Sequence, residues 1–284
     1  MRKMFLAGLI ILSACTGSRV AGRGFQTTSV PQVAQSNGDR INVAFSDASR
    51  PGLLQVDLLN GAISVTAYNG RDVIVEAQPR DRESSPPASA SGLRRLQTST
   101  TGLRIEEQNN VMTVQADSVR NYVRLNIQVP SRTNLKLRSV NGGAIDVSGV
   151  DGDIELNNTN GRINAKDVAG SVVAQSMNGG ILVTMRQVTP GKALSFSSQN
   201  GTVDVTLPPS IKANAKLRTG HGDIWTDFDV QVTRSPAPVV EDSRARGGGY
   251  RIDVDRNVYG TINGGGADLM LSTFNGSIYI RRGK

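Results

Sequence analysis

The sequence predicts an all-β protein, a single-stranded β-solenoid or β-helix-like repeat of about 18–22 residues per coil. Three observations predict it. First, glycine, usually behind Asn or Asp, returns at Gly142, Gly152, Gly161, Gly170 and Gly179, at spacings of 10, 9, 9 and 9. Second, a branched apolar residue stands two places after most of these glycines, at Ile154, Ile163, Val172 and Ile181. Apolar residues alternate onward from it, as in Ile145/Val147 and Ile154/Leu156. A two-residue period marks a strand with one buried face. Third, the turns form two interleaved classes. Gly142, Gly161, Gly179, Gly201 and Gly222 are separated by 19, 18, 22 and 21, and Gly152, Gly170 and Gly191 by 18 and 21. A hairpin meander needs only one class of turn. Two classes fit a coil of two strand-turn units.

The elements follow in order. The chain starts "MRKMFLAGLIILSACTGS". Arg2 and Lys3 form a basic region, and Met4 to Leu12 is an apolar run too short to span a bilayer as a helix. The run ends at Leu12-Ser13-Ala14-Cys15, which resembles a bacterial lipobox. Small residues suit a narrow peptidase cleft, and the thiol of Cys15 would carry the diacylglyceryl group. Cys15 is the one cysteine of the chain, so no intrachain disulfide forms. Residues 1–14 are therefore read as a lipoprotein signal peptide, and two or three acyl chains would anchor the mature protein. Cleavage removes two of 32 basic residues and none of 24 acidic ones, taking the net charge from +8 to +6. Thr16 stands where Asp retains enterobacterial lipoproteins at the inner membrane, so the expected location is the outer membrane, on its periplasmic or surface face.

Residues 15–40 read as the lipidated cysteine and a polar, flexible tether. Residues 41–284 read as one repeat domain. Two charged stretches, one Pro/Ser-rich and one Pro/Gly-rich, read as loop insertions near 78–101 and 233–250. The apolar word recurs after Asn60-Gly61, Asn200-Gly201, Gly222 and Asn275-Gly276. At the corners Gly reaches positive φ without steric cost and Asn tolerates it. The corner residues singled out are thus Asn60, Gly61, Asn141, Gly142, Gly152, Asn160, Gly161, Gly170, Asn178, Gly179, Asn200, Gly201, Gly222, Asn275 and Gly276. Asn residues at equivalent corners are expected to stack as amide ladders. The charged end "IYIRRGK" is expected to discourage edge-to-edge pairing.

Residues 58–77, 134–181, 195–208, 217–224 and 262–282 together resemble a bacterial adhesin-like β-strand-repeat family, a domain of unknown function carried by envelope proteins and lipoproteins. The resemblance covers about residues 41–283. It implies a β-solenoid, an envelope location and no established catalytic residues.

The search for chemistry gives little. One His excludes a multi-histidine metal site, and His221 in "TGHGDIW" reads as a turn residue. Asp146, Asp151, Asp153, Glu155, Asp167, Asp204 and Asp223 lie at outward or turn positions. The rungs next to Asp146 and Glu155 are expected to carry Asn164, Val173, Leu182 and Asp204, so no acidic column persists. No phosphate loop and no tandem calcium repeat is present. No cofactor is expected. The expected function is non-catalytic: a membrane-anchored, adhesin-like or structural envelope surface. Its expected partners are the membrane through its lipid, and anionic envelope glycans, lipids or another envelope protein. Nucleic acid is not expected, for want of an aromatic stacking pattern. Two alternatives stay open: a polysaccharide-active β-helix enzyme, and an envelope-stress or assembly module.

Overall fold

A computed structural model describes residues 39–79, 102–116, 122–233, 239–242, 249–253 and 257–284, with Ser89 and Arg244. The signal sequence, Leu12, Ser13, Ala14, Cys15 and nearly all of the tether lie outside the described residues, as do most of both loop insertions. The first strand starts at Asp39, so Asp39 and Arg40 belong to a strand rather than to the expected tether.

Among the described residues the chain is all-β, with no α-helix. Its strands are β1 (Asp39–Ala44), β2 (Gly52–Tyr68), β3 (Asp72–Pro79), β4 (Leu103–Gln108), β5 (Val111–Ala116), β6 (Val123–Pro130) and β7 (Thr133–Asn141). There follow β8 (Ile145–Ser148), β9 (Asp151–Asn160), β10 (Ile163–Ser176), β11 (Ile181–Val188), β12 (Leu194–Asn200), β13 (Val203–Leu207) and β14 (Ala213–His221). The last seven are β15 (Ile224–Thr226), β16 (Val230–Thr233), β17 (Val239–Asp242), β18 (Tyr250–Asp253), β19 (Val258–Ile262), β20 (Ala267–Asn275) and β21 (Ile278–Arg282). Nineteen strands join one hydrogen-bonded sheet, and β17 and β18 pair separately.

The repeat strands pair in parallel, in two runs between which the chain alternates. One run, face A, stacks β6, the second half of β2, β8, the start of β10, β11, β13, β21 and β15. The other, face B, stacks β5, the first half of β2, β7, β9, the end of β10, β12, β20 and β14. The alternation of the sequence decides which side chains meet. Leu125, Ile63, Ile145, Ile163, Ile181, Val203 and Ile278 form an inward ladder on face A, all buried. Each contributes roughly 1.5–3 kcal/mol of burial before entropy. On face B, small Ala174 lies in register between Leu156 and large Phe196, so one rung fills the space its neighbour leaves.

The rungs do not stack in chain order, which corrects one expectation. Gly201 and Gly222 were expected on consecutive coils, yet Asn275 lies between Asn200 and His221 in the register. The last rung of the chain, β20–β21, is inserted between β12–β13 and β14–β15. The first rung, β2, is likewise inserted between β5–β6 and β7–β8. A second expectation falls with it: the charged strand β21 is interior to the stack, so its charges guard no edge. Antiparallel strands do that work. β3 covers β6 and is itself covered by β1, β4 covers β5, and β19 covers β14 with β16 outside it.

Candidate functional site

The Asn-Gly corner is built from three columns. Asn160, Asn178, Asn200 and Asn275 each donate from Nδ2 to Oδ1 of the preceding asparagine, starting from Asn141, at 3.1, 2.9, 2.9 and 2.8 Å. Asn60 is in register with Asn141 at one end, and His221 with Asn275 at the other. Beside it runs a glycine column of Gly61, Gly143, Gly161, Gly179, Gly201, Gly276 and Gly222. A Cβ on any of the last six would lie 2.0–2.4 Å from the carbonyl oxygen of the column's preceding glycine.

That changes the reason for glycine. Positive φ was the expected cause, but Gly143, Gly161, Gly179 and Gly201 do not adopt it. What these positions require is room for the neighbouring backbone. The column also passes through Gly143 rather than Gly142, which sits at φ +88 beside Tyr122 as an extra residue.

The third column was not anticipated. Leu58 stands two residues before Asn60, but that place before Asn141, Asn160, Asn178, Asn200, Asn275 and His221 holds a small polar side chain, respectively Ser139, Asn158, Ser176, Ser198, Thr273 and Thr219. Each donates to a column glycine carbonyl of the adjacent rung, at 2.8–3.0 Å. A buried carbonyl without a ladder partner needs such a donor. The signal was present as a polar residue at an inward position, two before each corner except that of Asn60. Asn158 alone leaves a buried atom, Oδ1, without a partner among the described residues. At the opposite corner Gly152 and Gly170 are in register, and a Cβ on Gly170 would meet the Gly152 carbonyl at 2.0 Å. Gly191 stands in open space.

Four of the outward acids, Asp146, Asp153, Glu155 and Asp204, are individually engaged. Asp146 accepts from Asn164 at 2.6 Å, and Glu155 from Asn157, with Lys136 at 3.3 Å. Asp153 binds Lys192 and accepts from Ser171 at 2.8 Å. Its carboxyl is held below the ordinary range, chiefly by the Lys192 hydrogen bond. Among the described residues no group of three or more His, Cys, Asp and Glu could hold a metal ion. His221 packs edge-on against Phe274, with ring centroids 5.2 Å apart. Of the basic groups, Arg94, Arg95 and Arg246 lie outside the described residues.

Two surface features stand out. At one end of the stack the turns 45–52, 68–71 and 130–132 enclose a cleft of about 220 Å³. It is lined by Phe45, Tyr68, Arg50, Arg71 and Arg132. Arg50 pairs with Asp47 at 3.0 Å, whereas Arg71 and Arg132 make no ion pair among the described residues. Ser46 and Asn110 pin the cleft wall, through Ser46 Oγ to Glu107 at 2.6 Å and Asp47 N to Asn110 Oδ1 at 2.9 Å.

The other feature lies on face A toward the far end. One outward row runs Asp146, Asn164, Leu182, Asp204, Tyr279, Trp225. It starts polar and turns apolar. Trp225 is the one tryptophan of the chain and is 57% exposed; Leu182 is 40% exposed. Between them Asp204 holds Arg281 in a two-point bond, Nε–Oδ1 2.8 Å and Nη2–Oδ2 3.0 Å, which raises the Arg281 guanidinium further. The same guanidinium sits 5.2 Å from the Tyr279 ring centroid. Sequence reading placed Asp146, Asn164, Leu182 and Asp204 on neighbouring rungs but missed Tyr279 and Trp225, which join the row only through the inserted β20–β21 rung.

No family model matches the chain, and no curated protein matches it. Among solved structures it is similar to a candidate cell adhesion protein from Clostridium sporogenes, at 10% identity and TM-score 0.46, covering 87% of this chain and 100% of that one. It is also similar to a candidate adhesin from Bacteroides fragilis (11%, TM-score 0.32, 86% and 96%) and one from Parabacteroides merdae (10%, TM-score 0.29, 87% and 96%). All three are distant likenesses.

Proposed function

We propose that this chain is a lipid-anchored β-solenoid of the cell envelope whose work is non-catalytic binding, in the manner of an adhesin. The solenoid reading is supported by the parallel registers, in which equivalent residues recur at offsets of 18 and 22, as in Ile145–Ile163–Ile181–Val203. Inward residues of such a stack are committed to the core, and corner residues to closing each rung. Only the outward rows are free to vary. The observation that carries the binding reading is the apolar end of the face A row, where Trp225 and Leu182 face water. The polysaccharide-active alternative needs stacked free acids, whereas Asp146, Asp153, Glu155 and Asp204 are held by cations or amides, and Asn164 and Leu182 separate Asp146 from Asp204 in the row. The cleft at the other end, with Arg71 and Arg132, is the surface best suited to an anionic envelope partner.

Cys15 would anchor the chain, and the polar segment behind it would hold the faces clear of the bilayer. The test uses the full chain, labelled with a fatty acid in the host and fractionated. Labelled, membrane-bound protein is expected, with Cys15→Ala losing label and membrane. Purified full chain should then bind envelope preparations, and the Trp225→Ala/Tyr279→Ala double variant should not. Equal binding by that variant would remove face A as the binding surface.

A further inference from the structure

We infer that the Leu182–Asp204–Tyr279–Trp225 row is a platform for an uncharged pyranose glycan lying across the strands. The inference rests on the binding reading above and names its ligand. Its first ground is the shape of the row. Adjacent strands lie about 4.8 Å apart, so the four outward residues form a flat strip about 14 Å long. A flat open strip suits an extended polymer better than an enclosed small molecule.

The second ground is the order of chemistry across the strip. Its axis is aromatic and aliphatic, and both margins are polar. Thr184, Thr206 and Arg281 are in register along one margin. Thr202, Ser277 and Asp223 follow one another along the other, where Asp223 N donates to Ser277 Oγ at 3.2 Å. A pyranose ring has the complementary pattern: an apolar C–H face and a rim of hydroxyls. Its C–H face fits an indole or phenol ring, and its rim reaches groups that both donate and accept. An acyl chain would leave those margins unmatched.

The third ground is charge. Arg281 is neutralised by Asp204. Asp227 accepts from the Arg282 backbone N–H at 2.6 Å, beside the Arg282 guanidinium that lies over Phe228. Asp204 and Arg281 cancel within the strip, and Asp223 and Asp227 stand at its Trp225 end, so an uncharged ligand fits it better than a uronate or a phosphorylated sugar. Asp204 has the further role of a fixed acceptor in the middle of an apolar strip, which orients the ring above it.

The single tryptophan makes the test direct. Full-length protein in a sugar-free zwitterionic detergent is titrated with uncharged hexaoses built on glucose, galactose or N-acetylglucosamine, and tryptophan emission is followed. At least one should give a saturable shift with a Kd of about 1 mM or tighter. That Kd should change little between low and moderate salt. Calorimetry with Tyr279→Ala and Trp225→Ala should show binding weakened about tenfold or more, with Arg218→Ala on face B unchanged. Asp204→Asn should weaken binding less than either aromatic loss. No shift with any hexaose, or a shift equal in Tyr279→Ala, overturns the glycan assignment. If hexaoses fail while the double aromatic variant still loses envelope binding, face A remains the binding surface and the glycan is wrong. If both are unaffected, the binding surface itself lies elsewhere. Binding only by acidic oligosaccharides, lost with salt, likewise overturns the uncharged ligand.

Discussion

Gly179 and Gly191 are close in the sequence and sit at opposite corners. A Cβ on Gly179 would lie 2.2 Å from the Gly161 carbonyl oxygen, while one on Gly191 would meet nothing within 4 Å. Both are turn glycines by sequence, and only one is a packing element. The glycine column of the Asn-Gly corner repeats from rung to rung, with His221 for Asn in one and an extra Gly142 in another, because backbone touches backbone there and buried hydroxyls or an amide satisfy the column carbonyls. The opposite corner is stacked as tightly at Gly152 and Gly170, but beyond them it accepts the Thr189–Lys192 turn in one rung and Pro208-Pro209-Ser210 in the next, and nothing lies against Gly191. One edge is a seam throughout, and the other becomes a margin at Gly191, where length can change.

The contrast can be tested from the largest effect down. Gly179→Ala should destabilise the fold by about 3 kcal/mol or more, since only backbone movement relieves the clash. Urea unfolding would read this as a lower midpoint, and a loss comparable to that of Gly191→Ala would erase the distinction between the corners. Ser198→Ala leaves the Gly179 carbonyl without its 2.8 Å donor and should cost about 1–3 kcal/mol in the same experiment. Gly191→Ala should cost about 1 kcal/mol, from its φ of +75 alone. A two-residue insertion beside Gly191 should be nearly silent in thermal melts.

The smallest effect is that of Asp153→Asn. The Lys192 partner is half exposed and screened, so the loss at neutral pH should stay below about 1 kcal/mol. Its sign follows from the lowered carboxyl. The stabilisation is complete above the unfolded carboxylate value, near 3.9, and fades as the pH falls through the lower folded value. Wild type and variant should therefore converge in acid. Divergence in acid would mean that the pair is not the source.

How much of this was legible beforehand depends on what sets each feature. Inward residues such as Ile163 and Val203 could be read because burial follows a two-residue period. The register of Asp146 with Asn164 and Leu182 followed from counting between corners. Rung order could not be counted, because Asn200 meets Asn178 and Asn275 through identical amide bonds. Equivalent corners carry no label of which neighbour each takes. Ser176 and Ser198 went unread, since the carbonyls they serve, of Gly161 and Gly179, belong to other rungs. Trp225 could be seen as a lone aromatic, but it joins Leu182 and Asp204 only through Tyr279 of the inserted rung.

The inserted β20–β21 rung also has a consequence for how the protein is made. In an ordinary stack the newest segment is laid on the outside, and each layer is finished before the next emerges. Here, among the described residues, β15 has no strand neighbour, and β14 only its covering β19, until the later-made β20 and β21 slide in between. This part of the stack is therefore closed by a piece made after all the strands it joins, like an arch by its keystone. A ribosome that stalls before residue 265 yields a product lacking an interior layer, with two unsatisfied faces instead of one.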